Sequence, residues 1–205
     1  VVWSGVKDTY RSIPQRGVMN PRYNVILPTY LKEKILDFAL VSGLKYFNTN
    51  YDPRKNVQQG ARRFCMLTEH PNLELSQMVE AFKEIAYDEI GVSNILPEPQ
   101  FGNFIGVNME GGSVHEHQDA RDSNNNIHLR FNFMIQKPHI GGNPIINGKE
   151  YWIDEDTCWM NYASEWRHGS TPVAGDRARV VLSLGACVSE DIVKENISKI
   201  IGWEG

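Results

Sequence analysis

From about residue 100 onward, apolar residues of this chain recur at every second position, in short runs broken by turn residues. A period of two places alternate side chains on opposite faces of a strand. The pattern predicts strands over Phe104–Met109, Val114–Asp119, Ile127–Gln136, Pro144–Ile153, Thr157–Tyr162 and Arg177–Leu184. Gly111-Gly112, Ser123 to Asn126, Gly141-Gly142, Asn147-Gly148, Asp154 to Asp156 and Gly175-Asp176 separate them. Asn147-Gly148 is a two-residue hairpin signal, because both central positions of the favoured turn take a positive φ. So many short strands in succession favour a barrel or a double sheet.

The first half has a helical period instead. Leu31, Ile35, Phe38 and Ala39 share one face of a helix expected over Leu27–Leu44, with Pro28 in its first turn and Gly43 near its end. A second helix is expected over Ser76–Ile90, with Ser76 as its cap and Met78, Val79, Phe82, Ile85 and Ala86 facing inward. Residues 1–25 read as an irregular lead-in, 46–60 as a loop, and 189–201 as a closing helix. Helices first and strands afterwards make an α+β domain with helices on the outer face of a strand-built core. The expected organisation is one domain over residues 1–205. Residues 1–100 are a helical and mixed support, 101–188 the core, and 189–205 a C-terminal helix.

The formal net charge of −4 leaves no electrostatic footprint for nucleic acid. No apolar run is long enough to span a bilayer. Cys65, Cys158 and Cys187 are odd in number and scattered, which argues against a disulfide framework and favours a reducing, cytoplasmic setting.

Chemistry concentrates in Gly111-Gly112-Ser113-Val114-His115-Glu116-His117-Gln118-Asp119. On a strand, His115, His117 and Asp119 point the same way. Two such ligands can hold one ion from adjacent positions, and a third must come from elsewhere; His168, before a late strand, is the natural source. Two imidazoles and one carboxylate on one face of an octahedral ion leave positions open for substrate and O2. His115 and His117 as a His-x-His pair with His168 form the rival set, that of a cupin-type metalloenzyme; a non-enzymatic jelly-roll binding domain is the other alternative. The late strand places Arg177, Arg179, Val181 and Ser183 on one face. Arginines there suit a bidentate grip on a carboxylate. The strand over Ile127–Gln136 puts Leu129, Phe131, Phe133 and Ile135 on one face and His128, Arg130, Asn132 and Met134 on the other, so one face can pack while the other lines a cavity.

Three segments together resemble the 2-oxoglutarate- and Fe(II)-dependent oxygenases, their prolyl-hydroxylase-like or aspartyl/asparaginyl-hydroxylase-like branch. They are Val107-Asn108-Met109-Glu110-Gly111-Gly112, His117-Gln118-Asp119, and His168 through Pro172-Val173 to Gly175-Asp176-Arg177. The resemblance covers roughly residues 104–184. It implies a double-stranded β-helix (jelly-roll) core, and His117, Asp119 and His168 as Fe(II) ligands. It implies Arg177, with Arg179 as rival, on the far carboxylate of 2-oxoglutarate, and Arg130 or His128 helping to hold that cosubstrate. Asn108 stands where many members have a tyrosine that contacts the cosubstrate; Tyr162, Trp159 and Asn161 are possible replacements. The implied activity is hydroxylation of a C–H bond with O2, releasing succinate and CO2. The substrate is a protein side chain or an amino-acid-like molecule, with Tyr51, Arg54, Arg62 and Arg63 as candidates for its entrance.

Overall fold

The computed structural model describes residues 18–19, 22–23, 25–49, 60–92, 94–193 and 203–204. In chain order the elements are β1 (Val18–Met19), β2 (Arg22–Tyr23), α1 (Thr29–Asp37), β3 (Asn48–Thr49), β4 (Arg62–Met66), α2 (Glu74–Glu89), β5 (Leu96–Pro97) and β6 (Phe104–Asn108). There follow β7 (Val114–His117), β8 (Ile127–Gln136), β9 (Ile140–Gly141), β10 (Pro144–Ile146), β11 (Lys149–Glu150), β12 (Cys158–Tyr162), β13 (His168–Ser170), β14 (Val173–Ala174), β15 (Arg179–Val188) and β16 (Trp203–Glu204).

Two sheets carry the architecture. The larger has eight strands, in the order β2-β12-β8-β15-β6-β4-β3 with β5 paired beside β15; the smaller has the order β11-β10-β13-β7. All pairings in both are antiparallel. One face of the large sheet is the apolar core. Leu129, Phe131, Phe133, Ile105, Leu182 and Leu184 are all buried there. Helix α2 covers this face: Phe82 meets Phe133 edge-on at 5.2 Å, and the Tyr87 hydroxyl donates to the Leu184 carbonyl at 3.1 Å. The other face of the same strands is polar and equally buried, so β8 is buried along nearly its whole length.

The helices start and face differently from the sequence expectation. Helix α1 ends at Asp37, and a π-turn over Phe38–Ser42 carries the chain to Gly43. Helix α2 begins two residues before Ser76, which is buried within it. Its inward stripe is Leu75, Val79, Phe82 and Ala86, spaced four, three and four residues apart; Ile85 lies off that stripe and is 56% exposed. The Asn147-Gly148 hairpin forms as expected, with φ of 49° and 74°, but its second arm leaves the strand after Glu150. β13 and the short β9 and β14 were not anticipated, being too brief to show alternation. The late strand starts at Arg179 rather than Arg177 and runs on to Val188. The expected lead-in and closing helix lie mostly outside the described residues, as do Tyr51 and Arg54. The three cysteines are buried, and no disulfide joins them. Among the described residues no helix is long and apolar enough to cross a membrane.

Candidate active site

Pairing of β7 with β13 sets His117 directly opposite His168. Side chains opposite one another across antiparallel strands share a face and stand close, and the two imidazole centroids are 4.4 Å apart. Gly169 permits the approach: a Cβ there would lie 2.6 Å from the Val114 carbonyl oxygen. Asp119, two residues beyond His117, is fixed by its own N–H donating to the Ala163 carbonyl at 2.8 Å. Its Oδ1 stands 3.5 Å from His117 Nε2. One ligand atom from each of His117, Asp119 and His168 falls within 4.8 Å of the others.

Both imidazoles are oriented by their own backbone. His117 Nδ1 faces the His115 carbonyl at 2.8 Å, and His168 Nδ1 faces the Trp166 carbonyl at 3.1 Å. A carbonyl only accepts, so each contact assigns the hydrogen to Nδ1 and leaves the Nε2 lone pair for an ion. Burial, with His117 alongside, pushes His168 down to about 4, which keeps it neutral near pH 7. A neutral imidazole is the form that ligates. His115 is exposed beside His117, at a ring separation of 5.2 Å, and stays outside the three-residue cluster.

These residues open onto a cavity of about 270 Å³ between the polar face of the large sheet and strands β7 and β13. Strand register lays out its floor in cross-strand rows. Arg62, Asn108 and Arg179 form one row, Ser183, Asn132 and Trp159 another, and Gly185, Arg130 and Asn161 a third. Phe64, Phe101 and Phe104 add an aromatic wall. Buried polar atoms normally have partners. Here Asn108 Nδ2, Trp159 Nε1, Asn161 Oδ1, Arg179 Nε and Ser183 Oγ have none among the described residues, and all five residues line the cavity. A polar ligand would satisfy them. Trp159 and Asn161 thus present cavity groups, whereas Tyr162 lies on the other face, edge-on to Trp166 at 4.6 Å.

The arginines divide sharply. Arg177 sits in the bend before β15, 37% exposed, paired with Glu155 at 2.6 Å, and does not line the cavity. Strand alternation does not extend back to residue 177, so the side chain expected on a cosubstrate carboxylate lies away from the cavity. Arg179, the first residue of β15, is buried and lines the cavity. Burial, with Arg62 close by, pushes its guanidinium down to about 9. It remains charged at neutral pH, and no ion pair of Arg179 is found among the described residues. Arg62, foreseen only as an entrance residue, shares the cavity floor with it.

Arg130 also lines the cavity, but its charge is already met: Nη2 donates to Glu98 Oε2 at 2.6 Å, and Nη1 to the Gly102 carbonyl at 2.8 Å. Glu98 further accepts the backbone N–H groups of Gln100, Phe101 and Gly102. Burial alone would raise the Glu98 carboxyl; His128 and Arg130 outweigh it and bring it down to about 2. His128, expected to help hold the cosubstrate, is placed elsewhere. It is buried between Glu98 and Asp119 and does not line the cavity. Glu98 was missed because it stands between two prolines in a connection without a motif.

A carboxyl held below its ordinary value of 4.5 stabilises the folded state above that value and loses the contribution as pH falls toward about 2. The full shift corresponds to about 3 kcal/mol. Urea midpoints of the wild type and Glu98→Gln should therefore differ most near neutrality and converge as pH drops through that window. A gap independent of pH would show that ionised Glu98 contributes nothing.

No family model and no curated protein sequence matches the chain. Solved structures do. A prolyl-4-hydroxylase from Pseudomonas putida superposes with a TM-score of 0.57 at 15% identity, over 82% of this chain and 91% of that one. A prolyl hydroxylase from Trichoplax adhaerens, in complex with a hypoxia inducible factor oxygen degradation domain peptide fragment, gives 0.58 at 12%, over 85% of each chain. The chain shares its fold with prolyl hydroxylases. AviO1 from Streptomyces viridochromogenes Tue57 gives 0.54 at 11%, over 82% of this chain and 89% of that one.

Proposed function

We propose that the chain is an Fe(II)- and 2-oxoglutarate-dependent oxygenase on a jelly-roll core, hydroxylating a C–H bond of a protein side chain or an amino-acid-like molecule. The observation that carries this reading is one cavity with two chemically different ends. It holds a three-residue ligand set of two imidazoles and a carboxylate, and an unneutralised buried arginine, Arg179. His117, Asp119 and His168 would hold Fe(II), and three protein ligands on an octahedral ion leave three positions open. When bound, Fe(II) with 2-oxoglutarate and O2 supplies the oxidising power, with succinate and CO2 released.

The protein's own contribution is binding and placement. Arg179 grips the far carboxylate of the cosubstrate, and its fork suits that planar group. Asn108, one strand over in the same row, donates through Nδ2. Ser183 and Trp159 supply further hydroxyl and indole donors along the floor. Phe64, Phe101 and Phe104 keep water away from the reacting end and strengthen these charge contacts. His115, exposed beside the cluster, meets the second substrate, while Arg62 adds a second positive charge to the Asn108–Arg179 row.

Among the rivals, the cupin-type set of His115, His117 and His168 is disfavoured by the position of His115 outside the cluster. A binding domain without turnover leaves the anion-seeking floor unused. A screen of succinate release with Fe(II), comparing free amino acids with peptides ending in an acid or an amide, tests both reaction class and substrate class. Succinate above the no-substrate level with either set supports the oxygenase. Metal-dependent chemistry on a substrate with 2-oxoglutarate omitted would favour the cupin reading.

A further inference from the structure

One carboxylate of the metal set has two differently held oxygens. Asp119 Oδ1 faces His117 Nε2 at 3.5 Å, whereas Oδ2 faces His128 Nδ1 at 3.3 Å. The far nitrogen of His128, Nε2, lies 3.5 Å from Glu98 Oε2. That same Glu98 oxygen takes the Arg130 Nη2 donor and the N–H groups of Phe101 and Gly102. The side chains of His128, Glu98 and Arg130 are all at most 5% exposed.

The backbone is tied as firmly. Ala163 donates its N–H to the His128 carbonyl at 2.8 Å and accepts the Asp119 N–H on its own carbonyl at 2.8 Å. The next residue, Ser164, donates its hydroxyl to Glu165 and accepts the His128 N–H at 2.9 Å. A single peptide segment therefore sets the spacing between Asp119 and His128. Of these side chains Arg130 lines the cavity, whereas His128 and Glu98 do not.

We propose that His128 is a positioning residue for Asp119: held by the Ala163 and Ser164 backbone contacts on its own strand, it sets Nδ1 against Oδ2, so that Asp119 offers only Oδ1 to the ion. A carboxylate free to turn can present both oxygens and take a second coordination position, and the positions saved here are those the cosubstrate needs. Groups that hold a ligand from outside commonly matter 10- to 100-fold in metal affinity. The inference rests on the metal reading of His117, Asp119 and His168.

Co(II), an optical stand-in for Fe(II), tests it in the intact protein. Titration under anaerobic conditions gives its affinity, and the visible absorption bands report coordination. His128→Leu should weaken Co(II) binding roughly 10- to 100-fold and change the pattern of bands. His128→Asn, whose amide nitrogen stands where Nδ1 does and can still donate to Asp119, should recover most of both. Leu129→Ala, next along β8 but on its apolar face, should lower the melting temperature without changing the bands, which separates positioning from general loosening of the strand. If His128→Leu does not fold, His128→Ala, which also lacks a donor, carries the same expectation. Wild-type affinity and bands in a folded His128→Leu or His128→Ala protein would overturn the proposal and leave the metal reading standing. Failure of the wild type to bind Co(II) at all would overturn the metal reading, and the proposal with it.

Discussion

Arg179→Met is expected to raise the dissociation constant for 2-oxoglutarate by at least roughly 30-fold, while Arg177→Ala changes it by less than about five-fold. The difference follows from where each guanidinium sits. Truncating one partner of a buried, hydrogen-bonded charge pair costs about 2–5 kcal/mol, because the other charge is left without its partner. Arg179 is buried on the cavity floor, and its Nε has no partner among the described residues, which leaves it to a ligand carboxylate. Arg177 is engaged on the surface by Glu155, and exposed pairs contribute about 0–1 kcal/mol. Isothermal titration of the metal-loaded protein with 2-oxoglutarate measures both variants. Equal effects, or the larger effect at Arg177, would remove Arg179 from the cosubstrate site.

Asp119→Ala should weaken Fe(II) binding by more than about 100-fold, beyond the range expected for a group acting from outside the ligand set, and reduce succinate release to background. Besides losing a ligand atom, the variant leaves two imidazoles without the carboxylate that balances the ion's charge. It also frees His128, which otherwise faces Asp119 Oδ2. His115→Ala is the matched control. Its ring lies beside His117 but outside the cluster, so its metal affinity should stay within a few-fold of wild type. The reverse ranking would support the cupin-type set. Anaerobic Fe(II) titration of both variants decides between them.

That His117, Asp119 and His168 could come together was legible in the sequence because the logic is local. His-x-Asp on a strand shares a face by the pleat alone, and His168 opens a segment whose turn chemistry and alternation are visible without coordinates. The polar face of β8 was also legible as a pattern, with Arg130 and Asn132 alternating against Phe131 and Phe133. Its burial was not, because a lone strand does not reveal whether its polar side meets solvent or an opposing sheet. The choice between Arg177 and Arg179 depended on where β15 begins, and propensity fixes strand ends poorly. Gly175 and Asp176 mark a turn but not how many residues it consumes; the bend takes in Arg177 as well. Glu98 left no signal. It reaches the site because β5 pairs with β15, setting Leu96 opposite Cys187 and Pro97 opposite Ala186, some ninety residues apart. Arg62 joins the floor in the same way, by the register of β4 on β6.

The most direct test of the central claim is an anaerobic binding experiment. Fe(II) and 2-oxoglutarate are added to the purified protein in either order, and visible absorption is followed for the charge-transfer band of an iron-chelated 2-oxoacid. The band should form only when both are present, saturate at one equivalent of each, and fail to form in Asp119→Ala. Tight metal binding with no effect of 2-oxoglutarate, or an unchanged band in Asp119→Ala, would contradict the account.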